Sequence, residues 1–106
     1  MEDLELLSFN IISAVGTAKS RYVQAMYLAE KGDFDEARAK IKEGEESFVK
    51  GHEASLIQKE ACGEKTVPTI LLMHAEDQLM NAETTKIMAE EIIKLSQRIK
   101  KLEGGE

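Results

Sequence analysis

Apolar residues recur every three or four positions through three long stretches of the sequence, the spacing that places them on one face of an α-helix. In the stretch 3–31 these positions are Leu4, Leu7, Ile11, Ala14, Ala18, Tyr22, Ala25 and Ala29. In the stretch 33–62 the line predicted to face inward is Phe34, Ala37, Ile41, Phe48, His52, Ser55 and Leu56. The pattern predicts an amphipathic helix over each stretch.

Local signals mark where the first helix ends and the second begins. Lys31 followed by Gly32 is typical of a helix C-terminus, and Asp33 with Glu36 three residues later resembles a capping box. Gly16 lies inside the first helix, where glycine costs about 1 kcal/mol relative to alanine. We therefore expect a neighbouring helix to pack closely against Gly16.

The third stretch predicts a helix over 67–102, with Pro68 tolerated in its first turn. One line of this helix runs through Ile70, His74, Asp77, Asn81, Thr84, Met88, Ile92, Leu95, Ile99 and Leu102. Its second half is aliphatic, as expected of a packing seam, whereas its first half is polar. Burying an unpaired carboxylate costs several kcal/mol, so the polar half requires partners, a metal or a functional reason.

Three long helices joined by two short turns predict an all-α fold, an up-down-up antiparallel three-helix bundle. We expect one domain over 1–106, with residues 103–106 forming a short tail. Because each helix carries a strongly apolar seam, a bundle of three leaves a stripe exposed. Self-association as a trimer or a dimer is therefore expected.

Composition narrows the class of partner. The chain is 42% apolar and 32% charged, which fits a folded soluble protein, and its net charge of −6 argues against nucleic acid or an anionic membrane surface. Its first residues are acidic, unlike a signal peptide, and no apolar run reaches the roughly 18 residues needed to cross a bilayer. One cysteine excludes an intrachain disulfide and a paired-cysteine zinc site. We expect a cytoplasmic protein that does not insert into the membrane.

His74 is the leading candidate for chemistry. Asp77 and Gln78 follow it at i+3 and i+4, on the same helix face. A carboxylate beside an imidazole can orient it and make it a better base or nucleophile. The residues leave two alternatives open, a hydrogen-bonded core histidine and, for Asp77, a partly exposed carboxylate without a role.

Other chemistries have weaker support. Carboxylate-bridged metal bundles need Glu-x-x-His pairs, which are absent, and no glycine-rich phosphate loop is present. His52 lies in line with Phe48, so we interpret it as a packed core histidine that could approach His74 if the second helix folds back on the third. The methionines at 73, 80 and 88 are interpreted as core filler.

The segment Leu71-Leu-Met-His-Ala-Glu-Asp-Gln-Leu-Met80 resembles the signature of lactose/cellobiose-type enzyme IIA of the bacterial phosphoenolpyruvate-dependent sugar phosphotransferase system. That signature has aliphatic residues followed by His-(Gly/Ala)-Gln-Asp-His-Leu-Met. Further segments match the family in order and approximate spacing: Phe9-Asn-Ile-Ile, Gly16-Thr-Ala-Lys-Ser20, Gly32-Asp-Phe34 and Glu60-Ala-Cys-Gly-Glu64. The resemblance therefore covers nearly the whole chain.

The resemblance implies a phosphocarrier. His74 would accept a phosphoryl group from the histidine-containing phosphocarrier protein HPr and pass it to a cysteine of enzyme IIB. It further implies a homotrimer in which Asp77 lies at the threefold axis and helps bind a divalent metal, Mg²⁺. Hard cations of this kind prefer oxygen ligands such as carboxylates. Glu76, Gln78, Asn81 and His52 are expected as neighbours of the site.

Three departures separate the sequence from the family pattern. Glu76 replaces a glutamine, Gln78 replaces a second histidine, and His52 lies two residues closer to His74 than expected. Glu76 adds an anion, and Gln78 removes a potential cation. If these side chains are exposed, the two changes are expected to weaken phosphate binding by about 1 kcal/mol. The alternative hypothesis is a non-catalytic or regulatory helical relative. A generic two-component phosphotransfer bundle is disfavoured because no Lys-Gly-like pair follows His74.

Overall fold

The protein is a bundle of three α-helices. A computed structural model describes residues 2–62 and 70–104, and the side chains of 5–56 and 70–104. The helices are α1 (Glu2–Lys31), α2 (Phe34–Cys62) and α3 (Ile70–Leu102). This confirms the predicted all-α fold. Three predicted features lie outside the described residues: the start of the third helix at 67–68, the connection before it and the last residues of the tail.

The turn between α1 and α2 has the geometry that its glycine predicts. Gly32 adopts a φ of 92°, which is unstrained only for glycine. Its N–H donates to the Ala29 carbonyl at 3.0 Å, and the Asp33 N–H donates to the Leu28 carbonyl at 2.9 Å. These two bonds form a Schellman motif that satisfies the last carbonyls of α1. The Asp33 carbonyl then accepts the first hydrogen bond of α2, from Ala37.

The core is an alanine-rich column of apolar residues that runs the length of the bundle. One end contains Ile11, Val15, Ala75, Leu79 and Ala82. The other contains Ala25, Ala29, Ala37 and Ile93. Most contacts between helices involve α1, and α2 and α3 touch each other least. The start of α1 and the start of α3 therefore lie at the same end, where the signature segment of α3 is found.

Tyr22 fills the middle of this column, between Ala18 and Ala89. Its side chain is fully buried, and its hydroxyl has no hydrogen-bond partner among the described residues. Glu45 lies nearby and forms an ion pair with Lys86. Burial, reinforced by the negative charges of Glu45 and Glu90, raises the pKa of Tyr22 to about 12. The phenol is therefore held neutral in the folded chain.

Two glycines of α2 allow α1 and α2 to approach closely. The expectation that a neighbouring helix packs closely against Gly16 of α1 is wrong. Apart from its own helix, no atom of the described residues lies within 4 Å of a Cβ built at Gly16. A Cβ on Gly44 would lie 2.5 Å from Cε1 of Tyr22, and one on Gly51 would lie 2.7 Å from Cγ1 of Val15. Gly44 and Gly51 are one heptad apart. The missing side chains leave two notches in α2, into which Tyr22 and Val15 of α1 pack.

The polar-to-aliphatic line of α3 lies on the outside of the bundle. The buried residues of α3 are instead Ala75, Leu79, Ala82, Ala89 and Ile93. Among the ten residues of the line, here named the outward stripe, all but Ile92 are exposed, including Ile70 at 82% and Leu102 at 86%. The methionines at 73, 80 and 88 are also exposed, so their interpretation as core filler is wrong. The single chain thus presents an unpartnered apolar face on α3.

Crossing a bilayer requires a long and strongly apolar helix. Among the helices that the structure describes, none combines the length and the hydropathy for this.

Candidate functional site

His74 stands in the second turn of α3, on the polar half of the outward stripe. Its side chain is exposed, and it makes no hydrogen bond to any residue that the structure describes. A ring in this position is open to a second protein. The alternative of a hydrogen-bonded core histidine is therefore wrong for the single chain.

Asp77 follows His74 on the same side of α3 and is also exposed. No ion pair joins the two among the described side chains, although they stand at i and i+3. The expected orientation of the imidazole by this carboxylate is therefore not realised within one chain. Asp77 instead presents its carboxylate to solvent on the polar half of the outward stripe, where a second protein can reach it.

Glu76 points to the other side of α3. Residues two apart on a helix project about 200° from each other, so Glu76 and His74 do not share a face. The Ser55 hydroxyl of α2 donates a hydrogen bond to Oε2 of Glu76. The extra anion at 76 is thus directed at α2 rather than at the imidazole, and the geometry does not support the expected weakening of phosphate binding by this residue.

Ser55 was assigned from the sequence only to the inward face of α2, and its role as the partner of Glu76 was missed. It is 1% exposed, and Ser8 of α1 is the other buried polar residue in the described part of the chain. A serine in an apolar line facing a glutamate is the signal that could have revealed the pair, because a buried hydroxyl needs an acceptor.

Gln78 and Asn81 supply amides on the next turns of α3. Gln78 is half-buried at i+4 from His74, and Asn81 is exposed at i+7, which is also the same face. An amide N–H₂ can donate to a phosphoryl oxygen, and an amide oxygen can accept from an imidazole N–H. Gln78, one turn from His74, is a neighbour with suitable chemistry, whereas Asn81 lies about 10 Å from His74 along the axis of α3.

His52 is not a packed core residue, and that interpretation is wrong. Its side chain is exposed, and its ring stacks on Phe48 of the same helix with centroids 6.2 Å apart and planes 14° from parallel. Gly51 and Ser55 occupy the buried positions of this part of α2. His52 therefore lies at the edge of the side of α2 that faces the core. The apolar pattern alone does not distinguish this edge from the centre of that side.

A metal site cannot be completed within one chain by the described residues. No group of three or more histidine, cysteine, aspartate or glutamate side chains among them is arranged to hold an ion. Asp77 offers one carboxylate from an exposed face.

Comparison with known proteins identifies the family of this chain. The family model for the PTS system, lactose/cellobiose specific IIA subunit, matches residues 6–97. The chain belongs to this family. It is therefore an enzyme IIA, a phosphotransferase component that carries phosphoryl groups in sugar uptake.

Relatives of this enzyme IIA cover almost the whole chain. The lichenan-specific phosphotransferase enzyme IIA component of Bacillus subtilis is 44% identical over 98% of this chain and 96% of its own length. The lactose-specific EIIA component of Staphylococcus aureus is 33% identical over 92% of this chain and 96% of its own. The crystal structure of the cellobiose-specific enzyme IIA from Bacillus anthracis matches with a TM-score of 0.83 at 37% identity, over 92% and 91% of the two chains.

Proposed function

We propose that His74 is the phosphoryl acceptor of this enzyme IIA. The observation that carries the proposal is an exposed imidazole in the signature segment, on the polar half of an otherwise apolar stripe. The group would come from the phosphohistidine of HPr and pass to a cysteine thiolate of enzyme IIB. In the first step a neutral His74 nitrogen attacks phosphorus, and the bond from phosphorus to the HPr nitrogen breaks. In the second step the thiolate attacks, and the imidazole leaves.

The chain's own part in these steps is positioning and electrostatic stabilisation, which dominate the catalysis of phosphoryl transfer. The rigid second turn of α3 presents the imidazole to either partner. Gln78, one turn from His74 on the same face, would donate an amide hydrogen bond to a phosphoryl oxygen. Because this amide is neutral, its contribution would not depend on pH near neutrality, unlike that of the histidine that the family has at the position of Gln78.

We also propose a homotrimer built on the outward stripe. The aliphatic half of the stripe, from Met88 to Leu102, is too apolar and too continuous for a face exposed to water. Three copies around a threefold axis would bury it and would bring three Asp77 carboxylates together. A divalent cation, Mg²⁺, then fits as the shared ligand that neutralises them.

The relatives suggest the class of sugar and the place of action. They are described as specific for lichenan, lactose and cellobiose, so we propose that this chain serves the uptake of a β-linked sugar of the lactose, cellobiose or chitobiose type. Because HPr and enzyme IIB act in the cytoplasm, the transfer is expected there.

Phosphorylation in a reconstituted chain of carriers tests the proposal. Radiolabelled phosphoenolpyruvate, enzyme I and HPr should give an acid-labile adduct on the wild-type chain and none on His74→Gln. His52→Gln is the matched control, since it removes the other histidine from an exposed helix position, and it should label normally. Failure of the wild type to label with cognate partners refutes the proposal. A pulldown of partners that His74→Gln leaves intact would then favour the non-catalytic alternative.

A further inference from the structure

The end of the bundle that carries His74 contains a polar contact between α2 and α3. The Ser55 hydroxyl donates to the Glu76 carboxylate, with Ser55 buried and Glu76 half-buried. This contact joins the two helices that touch each other least. A hydrogen bond to a carboxylate is roughly twice as strong as a neutral one, and its geometry is more closely fixed.

The burial of Ser55 commits its hydroxyl to this bond. A fully buried hydroxyl without a hydrogen-bond partner lowers stability by about 1–3 kcal/mol. Loss of the acceptor of Ser55 would therefore destabilise the fold. Apolar core contacts beside it, from Ala75 and Leu79 of α3, can slide along a helix at small cost. The hydrogen bond cannot, because its strength falls steeply with distance and angle.

The geometry points to Ser55 and Glu76 as a positioning pair that sets the register of the first turns of α3 and thereby places His74 for phosphoryl transfer. Glu76 acts through the helix, because its side chain projects away from the imidazole. The carboxylate is needed as a hydrogen-bond acceptor rather than as a charge. This inference rests on the proposed function of His74.

Single substitutions separate the acceptor role from the charge. Ser55→Ala and Glu76→Ala remove the bond, and each should lower kcat/KM for phosphorylation by HPr about 10- to 100-fold, the range associated with misplacement of about 1 Å. Glu76→Gln keeps an oxygen acceptor without the charge, and Ser55→Thr keeps the hydroxyl. Both should stay within about threefold of the wild type.

A double variant controls for loss of folding. Replacing both partners by apolar groups can be nearly neutral for stability, so Ser55→Ala with Glu76→Leu should retain the far-ultraviolet circular dichroism and melting temperature of the wild type. It should still transfer phosphate slowly, and the backbone amide NMR shifts around His74 should move. A purely structural role for the pair predicts normal transfer by this folded double variant.

The outcomes are distinguishable. If the wild type is phosphorylated and the double variant transfers at the wild-type rate, the positioning role is overturned. If Glu76→Gln is as slow as Glu76→Ala, the charge rather than the bond is what matters, and the inference is wrong. If the wild type itself is not phosphorylated, the proposed function of His74 fails instead.

Discussion

Gly44→Ala should destabilise the bundle even though alanine is the better helix former. Gly44 lies in the middle of α2 against the ring of Tyr22. A Cβ at this position would lie 2.5 and 2.8 Å from Cε1 and Cδ1 of that ring and 3.1 Å from the Ala18 carbonyl oxygen. Two of these contacts are shorter than side chains tolerate, so the ring or the whole of α1 must move.

The magnitude follows from two opposing effects. Gly→Ala in a helix interior gains about 1 kcal/mol of intrinsic propensity. Forcing an extra carbon into a packed core costs about 1–3 kcal/mol, and the upper part of this range applies because Tyr22 is fully buried. The expected result is a net loss of about 1–2 kcal/mol in the free energy of unfolding.

Urea unfolding followed by circular dichroism at 222 nm measures this loss, at one fixed chain concentration because association shifts apparent stability. Gly16→Ala is the matched control. This variant gains the same helix propensity, and its added Cβ meets no other helix in the described part of the chain. Its free energy of unfolding should therefore be unchanged or higher by up to about 1 kcal/mol. A Gly44→Ala variant as stable as Gly16→Ala would refute the close packing of α1 on α2.

Three further predictions concern the core and the outward stripe. Tyr22→Phe should leave stability at pH 7 unchanged or slightly raised, because the hydroxyl is buried without a described partner. Since the folded pKa of Tyr22 is raised from 10.0 to about 12, its contribution is complete below pH 10 and is lost as the pH rises through about 12. Wild-type stability should therefore fall relative to Tyr22→Phe in urea titrations across that window, and parallel curves would contradict the burial. Leu95→Glu should convert the proposed trimer to monomers while retaining helicity, and light scattering measures this change. Ala39→Glu, on the outer face of α2, should leave the trimer intact. A wild type that is monomeric at all concentrations would contradict the trimer. Asp77→Leu should remain a trimer and melt at the same or a higher temperature, with magnesium and a chelator no longer shifting the transition; a monomeric Asp77→Leu protein would argue against this account.

The sequence predicted the helices well because local signals determine them. Periodic apolar residues and the Lys31-Gly32 stop are properties of a few neighbouring residues, and the structure confirms them. The signature around His74 predicted the family for a similar reason, since its residues are contiguous along α3.

The wrong predictions share one physical cause. A helical pattern of apolar residues does not determine which face of a helix packs against which neighbouring helix. Gly16 and Gly44 have the same intrinsic cost in a helix, yet only Gly44 faces a side chain of another helix. The outward stripe is as periodic as the true core line of α3, and the two differ by a rotation that only packing decides. For the same reason the sequence did not reveal that Glu76 faces Ser55 rather than His74.

The central position of α1 has a consequence for the order of folding. Because α1 and α2 are adjacent in sequence and joined by a tight turn, their contacts close short loops, and we expect this helical hairpin to form the folding nucleus. Helix α3 packs mainly on α1, and we expect it to dock after the hairpin has formed. Destabilising changes in α3 should then accelerate unfolding while leaving the refolding rate nearly unchanged, whereas changes at the notches between α1 and α2 should slow refolding.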